Sequence, residues 1–181
     1  MPRLKTILAN RLRNARKIAV LGVGSELRAD DAAGMVIVKR LKAYIKGKKQ
    51  EERNSLKVFL GQTAPENLTG EIKKFKPTHL IIIDAVDFHQ KAGAIGVVDL
   101  QAEAGVSFST HRIPFQIIKD YLYKSIACET IIIGIQPESV DFSLSLSPKI
   151  QKSARIVLEA IIEALISLRL EFGDCKIRTC G

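Results

Sequence analysis

The chain has 181 residues with a formal net charge of +9, and 46% of its residues are hydrophobic. This composition is ordinary for a soluble globular protein, and the chain is long enough for one domain with a full core. No apolar run reaches the roughly 20 residues that a membrane-spanning helix needs, and the basic first 16 residues lack the apolar core of a secretory signal. We therefore expect a cytoplasmic protein with no membrane span.

The basic charge and the cysteines indicate neither a nucleic-acid-binding protein nor a disulfide-rich secreted domain. Lysines and arginines are spread over several predicted helix faces without interleaved aromatic residues, so we interpret the charge as a solvated surface and expect no nucleic-acid partner. Cys128, Cys175 and Cys180 are too few for the disulfide framework of a secreted domain. Cys128 begins a predicted strand, where a core role is expected.

Apolar periodicity predicts strands that alternate with helices along the chain. Helices are predicted over 3–14, 31–45, 63–75, 113–123 and 147–172, and strands over 17–23, 56–60, 78–84, 94–100 and 130–135. A capping box at Thr63–Glu66, a cap at Ser147 and a stop at Gly173 are the predicted boundary signals.

This alternation predicts an α/β fold with three layers (α/β/α), in which a twisted, mostly parallel five-stranded sheet lies between helices. The fourth strand is a candidate edge strand. We expect a single domain over residues 1–172 with an extra N-terminal helix, followed by a C-terminal tail over 173–181.

Polar residues follow several of the predicted strands. Asp30 and Asp31 follow the first strand after a turn at Gly22 and Gly24, Asp84 ends the third strand, and His111 lies in the loop after the fourth. In open α/β sheets, ligands bind beyond the carboxyl ends of the strands, so these positions are expected at one edge.

Three kinds of site are considered for this edge: a dinucleotide turn, a metal site and a nucleophile. A dinucleotide turn needs a third glycine where Leu27 stands, and the nearby acids would repel a pyrophosphate. Two carboxylates and an imidazole, from Asp31, Asp84 and His111, form a plausible ligand set for Zn or Ni. No Gly-x-Ser-x-Gly elbow is present to indicate a serine nucleophile.

Each of these residues also has a structural interpretation. Asp30 is interpreted as a helix cap, because acids are common at helix starts. An acid that ends a strand is often structural, and a lone histidine in a loop is often a surface residue. His79 and His89 have no better claim to a ligand role than His111.

The segments GVGSELRADDAAG, TAPENLTGEIKKFKPTHLIIIDAVDF, STHRIPF and IIIGIQPESVDF closely resemble the [NiFe]-hydrogenase maturation endopeptidases. The branch is the one that includes the hydrogenase 3 maturation protease. The resemblance covers residues 17–163, and the N-terminal helix and the tail lie outside it. One departure is Leu60-Gly61-Gln62, where many members carry an acid in an Asp-Gly-Gly turn.

The resemblance implies an aspartic-type, nickel-dependent endopeptidase that removes a C-terminal extension from the hydrogenase large-subunit precursor after nickel insertion. It places metal contacts at Asp31, Asp84 and His111, with Asp31 and Asp84 catalytic. Nickel is then recognised in the substrate, and Zn or Cd can substitute for it. The alternatives are a non-catalytic factor that binds the metal or the precursor, and a nucleotide-binding module.

Overall fold

The computed structural model describes the backbone of residues 2–48, 54–98, 107–108 and 112–175, and the side chains of 4–48, 54–98 and 115–168. The helices are α1 (Pro2–Arg11), α2 (Ala33–Lys46), α3 (Thr69–Phe75), α4 (Arg112–Ile126) and α5 (Pro148–Cys175). The strands are β1 (Ile18–Val23), β2 (Leu56–Gln62), β3 (His79–Asp87), β4 (Ile95–Val98), β5 (Ser107–Phe108) and β6 (Glu129–Ile135). Short 3-10 turns precede α2 and α3, at Ala29–Ala32 and Pro65–Leu68.

The sheet has the strand order β2-β1-β3-β6-β4. The first four of these strands are parallel, and β4 pairs antiparallel with β6 at the edge. These strands confirm the predicted fold, including the edge position of the fourth predicted strand. In addition, the two residues of β5 pair antiparallel with the end of β3. A strand this short has no apolar periodicity from which it could have been predicted.

Helices cover both faces of the sheet, which completes the three layers. Successive residues of β3 serve opposite faces: Ile81 and Ile83 join one core, and Leu80 and Ile82 join the other. The first core also takes residues from α1, α2 and α5, and the second takes residues from α3 and α4. Because β1 and β3 are covered on both sides, they read as continuous apolar runs.

The N-terminal helix is part of this packing. Leu4, Leu8 and Leu12 are buried in the first core, where α1 contacts α5. At the surface, the Lys5 ammonium lies 2.6 Å from the Glu163 carboxylate. Among the described residues, no helix is long and apolar enough to cross a bilayer.

Two predicted boundary signals were wrong, and one predicted helix begins differently. The 3-10 turn before α3 has Ala64 at its cap position and no side-chain cap, so Thr63 does not form the predicted capping box. The chain leaves β2 through Gln62, whose φ is +49°, and this puts Ala64 at the cap. Helix α5 continues to Cys175, past Gly173, because a glycine inside a helix costs only about 1 kcal/mol. The predicted helix over 31–45 begins as the 3-10 turn and becomes α-helical at Ala33.

Candidate active site

Asp84 stands where β3 extends beyond its neighbour β1. The pairing of the two strands ends at Gly22 and Ile83, whereas β3 continues to pair with β6 as far as Ala85. Strand β3 itself runs to Asp87, so Asp84 lies inside the strand. The prediction that Asp84 ends this strand was therefore wrong. The carboxyl group therefore stands at the ligand-binding edge of the sheet, on a rigid element.

A turn at Gly24 brings Asp31 to the same edge. Gly24 has a φ of +122°, and a Cβ there would overlap the carbonyl oxygen of Asp31. Gly22 belongs to β1, so the turn that was predicted for both glycines rests on Gly24 alone. The buried Asp31 carboxylate accepts a hydrogen bond of 2.7 Å from the Ser25 backbone N–H, which fixes its orientation.

The two carboxyl groups interact electrostatically. Asp84 is fully buried, and its pKa is raised well above the usual range, first by burial and then by the nearby charge of Asp31. One Asp84 oxygen, Oδ1, accepts a hydrogen bond of 2.9 Å from the Ala85 N–H. The other, Oδ2, has no hydrogen-bond partner among the described residues. The fold thus brings Asp31 and Asp84 together and leaves one buried carboxyl oxygen unsatisfied.

Asp30 does not cap its own helix, so that interpretation was wrong. Its 3-10 turn has no side-chain cap, and the buried Asp30 carboxylate points instead to the loop between β6 and α5. It accepts hydrogen bonds from the Glu138 N–H (2.9 Å), the Ser139 N–H (3.0 Å), the Ser147 N–H (2.6 Å) and the Ser147 hydroxyl (2.9 Å). Asp30 therefore fastens that loop and the start of α5 to the β1–α2 turn.

His111 lies outside the described residues, so its place in the site stays a prediction. Nearby along the chain, Phe108 pairs with Val86, two residues after Asp84. Within the described part of the chain, no group of three or more His, Cys, Asp or Glu side chains is arranged to hold a metal ion.

The other two histidines and the described cysteine are not part of this site. His79 begins β3, five residues and about 16 Å along the strand from Asp84, and it is buried beside Thr78. His89 is exposed next to Asp87. Cys128 is buried in the second core, and burial raises the pKa of its thiol to about 12, which confirms the predicted core role.

Gln136 is a buried residue of this edge that the sequence analysis missed. Its side-chain oxygen accepts hydrogen bonds from the backbone N–H groups of Phe88 (2.7 Å) and Gln90 (3.2 Å), and its amide donates to Asp87 (3.1 Å). Hydrogen bonds from the His89 N–H and from Gln136 hold the pKa of Asp87 below its usual range. A polar residue directly after the buried strand β6 was the signal that could have indicated it.

Asp87 and Gln136, together with Ala85, line a groove of about 480 Å³. One side is formed by Ala85 and Asp87, and the other by the loop over residues 136–141. Its lining residue Ala85 directly follows Asp84 in β3, at the carboxyl edge of the sheet. The groove is large enough to accept a segment of extended polypeptide.

Together, the fold and the site define a three-layer α/β protein with a pair of interacting buried acids at the carboxyl edge of its sheet. The chain matches the model of the HycI hydrogenase maturation proteases over residues 35–164. A relative from Methanocaldococcus jannaschii, provisionally named a hydrogenase maturation protease, is 36% identical over 92% of this chain and 99% of its own. The hydrogenase 3 maturation protease of Escherichia coli is 31% identical over 78% of this chain and 86% of its own.

Solved structures agree with these relatives. The [NiFe] hydrogenase maturation protease HycI of Thermococcus kodakarensis matches with a TM-score of 0.77 and 28% identity, over 88% of this chain and 98% of that one. The solution structure of the endopeptidase HycI of Escherichia coli matches with a TM-score of 0.67 and 30% identity, over 79% and 87%.

The chain belongs to the hydrogenase maturation protease family. It is accordingly a maturation endopeptidase, a hydrolase of peptide bonds. The resemblance found in the sequence is confirmed, including its likeness to the hydrogenase 3 branch.

Proposed function

We propose that this endopeptidase removes a C-terminal extension from the large-subunit precursor of a [NiFe] hydrogenase after nickel insertion. In this proposal Asp31, Asp84 and His111 contact the nickel that the precursor carries, and Asp31 and Asp84 are catalytic. Membership of the family supports a hydrogenase precursor as the substrate, because the named relatives are hydrogenase maturation proteases.

The observation that carries the proposal is the unsatisfied oxygen of Asp84. A buried carboxyl oxygen without a hydrogen-bond partner in the described part of the chain is costly, and such atoms in native proteins call for an explanation. A cation next to it would supply the missing partner and would also offset the repulsion between Asp31 and Asp84. Carboxylate and imidazole ligands suit nickel, and they suit zinc or cadmium as substitutes.

The chain's own residues have two possible roles in the cleavage step. In the first, the Ser25 N–H orients Asp31 and the Ala85 N–H orients Asp84, so that both carboxylates could hold the metal that the precursor carries. A metal in that position supplies Lewis-acid polarisation of the carbonyl or an activated water.

In the second role, the metal serves recognition only, and the acids act directly on water, as in an aspartic-type peptidase. The raised pKa of Asp84 favours this role, because a carboxyl group with a raised pKa holds its proton to higher pH and can serve as a general acid. Asp31 would then be the general base that takes a proton from the attacking water.

Cleavage of the nickel-loaded precursor by three single variants tests the site. Asp31→Asn, Asp84→Asn and His111→Ala are each expected to cleave at least about 100-fold more slowly, because each removes a group that acts on the reacting atoms. Asp120→Asn, at an exposed position of α4, is the matched control and is expected to cleave within about twofold of the wild type. Near-normal cleavage by all three site variants would end this assignment.

Nickel recognition is tested by giving the wild-type protein nickel-free and nickel-loaded precursor. Only the loaded form is expected to lose its extension, and equal cleavage of both forms would refute a role for nickel. Precursor that binds but keeps its extension would identify a non-catalytic factor.

The nucleotide-binding alternative is tested by the melting temperature of the protein. ATP or NAD is expected to leave the melting temperature unchanged, since a ligand raises it only by binding the folded state.

A further inference from the structure

Three large apolar side chains project into solvent beside the candidate active site. Leu27 is 54% exposed, Phe142 is 81% exposed and Leu144 is 77% exposed. They account for three of the seven large hydrophobic residues exposed in the described part of the chain. Exposed apolar side chains that cluster, unlike scattered ones, indicate a contact surface.

A backbone bridge brings together the two loop segments that carry these three side chains. Arg28 and Ser143 form a parallel bridge, in which the Ser143 N–H donates to the Leu27 carbonyl at 3.1 Å. Phe142 and Leu144 flank Ser143, so this hydrogen bond brings both of them close to Leu27. We call Leu27, Phe142 and Leu144 the rim platform.

The rim platform is held in place before any partner arrives. The Arg28 side chain donates to the Val140 carbonyl at 3.1 Å, and the Ala29 N–H donates to the Ser143 carbonyl at 2.9 Å. The four hydrogen bonds to Asp30 fasten the same loop from beneath. A fixed apolar surface binds with little ordering cost, which favours a role in docking.

The platform adjoins the groove that is lined by Ala85, the residue after Asp84. Asp141, which precedes Phe142, lines that groove together with Asp87. Neither carboxylate has a Lys or Arg ion-pair partner among the described residues, whereas the neighbouring Glu138 is paired with Lys149 at 2.6 Å. On a chain with a net charge of +9, this rim combines apolar side chains with two carboxylates that have no Lys or Arg partner among the described residues.

We propose that the rim platform is a docking surface for the hydrogenase precursor. It contacts a part of the precursor that displays apolar side chains beside lysine or arginine, separate from the residues that reach Asp31 and Asp84. The identity of the partner rests on the proposed function. The apolar contact supplies affinity, and the charges of Asp87 and Asp141 complement the basic residues of the partner.

Docking can be measured apart from cleavage in the Asp84→Asn background, in which bound precursor stays intact. The double variant Phe142→Ser/Leu144→Ser is expected to raise the Kd for nickel-loaded precursor at least about tenfold, because it removes two apolar side chains from the contact. Ile166→Ser is the matched control, since Ile166 is 45% exposed on α5 about 27 Å along the helix from Pro148. Its Kd is expected to stay within about twofold.

Charge and kinetics give two further readouts. Asp141→Lys is expected to raise the Kd at low salt, with a smaller rise at high salt, because salt screens exposed charges. With Asp84 restored, the double variant is expected to raise KM and leave kcat unchanged, since it weakens docking without touching the reacting atoms.

An unchanged Kd in the double variant would overturn the proposal. So would a wild-type dimer in sedimentation velocity that the double variant dissociates while precursor affinity stays the same, because the platform would then bind a second copy of this chain. If the double variant loses binding but the wild-type protein never cleaves the precursor, docking stands and the proposed function fails.

Discussion

Asp30 and Asp84 are both fully buried aspartates at the carboxyl edge of one sheet, but their surroundings differ. Asp30 accepts four hydrogen bonds from the loop over residues 138–147. Asp84 accepts one, from Ala85, and its second oxygen has no partner in the described part of the chain. Burial alone therefore does not distinguish an aspartate with all its hydrogen bonds made from one with an unused oxygen; the hydrogen bonds do.

The two aspartates should therefore contribute differently to the stability of the folded protein. A satisfied buried carboxylate is an anchor, because every donor around it would be stranded by its loss. An unsatisfied one is unfavourable in the folded protein and is kept where an activity needs it. Four measurements, taken from the largest expected effect to the smallest, test this contrast.

The first measurement compares the two aspartates directly. Asp30→Ala is expected to lower the free energy of unfolding by about 3–4 kcal/mol, because the loop and the start of α5 lose their shared acceptor. Asp84→Asn is expected to lower it by less than about 1 kcal/mol or to raise it, because it removes a buried group that is poorly solvated. Urea unfolding at neutral pH measures both.

Asp30→Asn serves as the control, since it keeps the shape and one acceptor oxygen. Its loss is expected to fall between those of the other two variants. Equal losses for Asp30→Ala and Asp84→Asn would contradict the contrast between anchor and reactive group.

The second measurement asks whether close backbone packing, apart from charge, places Asp31. Gly34 lies in the first turn of α2, and a Cβ there would overlap the Ile83 carbonyl oxygen and the Val23 backbone. Gly34→Ala is expected to lower the free energy of unfolding by about 2–3 kcal/mol, because backbone atoms cannot move aside as a side chain can. Thermal or urea unfolding would show it.

Gly70→Ala is the matched control, because nothing lies within 4 Å of its added Cβ in α3. It is expected to stabilise the protein by about 0.5–1 kcal/mol through helix propensity. If the two alanines had the same effect, the close approach of α2 to the sheet would not determine the site.

The third measurement uses pH on metal-free protein held in chelator. The pKa of Asp84 is raised in the folded state, so between the usual carboxyl range and that raised value the native protein binds more protons than the unfolded one. This contribution is fully favourable at acid pH and is lost as the pH rises through the window. The slope is at most about 1.4 kcal/mol per pH unit.

Asp84→Asn lacks this titration, so the variant should gain stability relative to the wild type as the pH rises from about 4. Urea unfolding across the pH range measures this difference in stability. Asp31→Asn should lower the raised pKa of Asp84 by removing the nearby charge, which narrows the pH range over which the difference grows. Parallel stability curves for the wild type and Asp84→Asn would contradict the raised pKa.

The fourth measurement provides an exposed baseline far from both aspartates. Lys5 and Glu163 form a surface ion pair whose side chains are 46% and 53% exposed. A double-mutant cycle with alanine at both positions is expected to give a coupling of about 0.5 kcal/mol or less, because water and salt screen the pair. Coupling above about 2 kcal/mol would show that α1 depends on this pair more than on its buried leucines.

Much of the site's frame was predictable because it is local. Buried parallel strands read as apolar runs, so β1 and β3 were found, and the rule for strand ends placed Asp31 and Asp84 at one edge. The roles of Asp30 and Gln136 were not predictable, because their partners lie far away in the chain. Asp30 and Ser147, for example, are 117 residues apart.

The sequence by itself determined the alternation of strands and helices, the family and the candidate acids, because periodicity and motif spacing are properties of neighbouring residues. Only the tertiary structure decided which buried acid is satisfied and which is not. It also decided that the exposed residues Leu27, Phe142 and Leu144 lie close together, since that depends on a bridge between distant segments. Hydrogen-bond satisfaction and surface clustering arise when distant segments meet, and no local pattern encodes them.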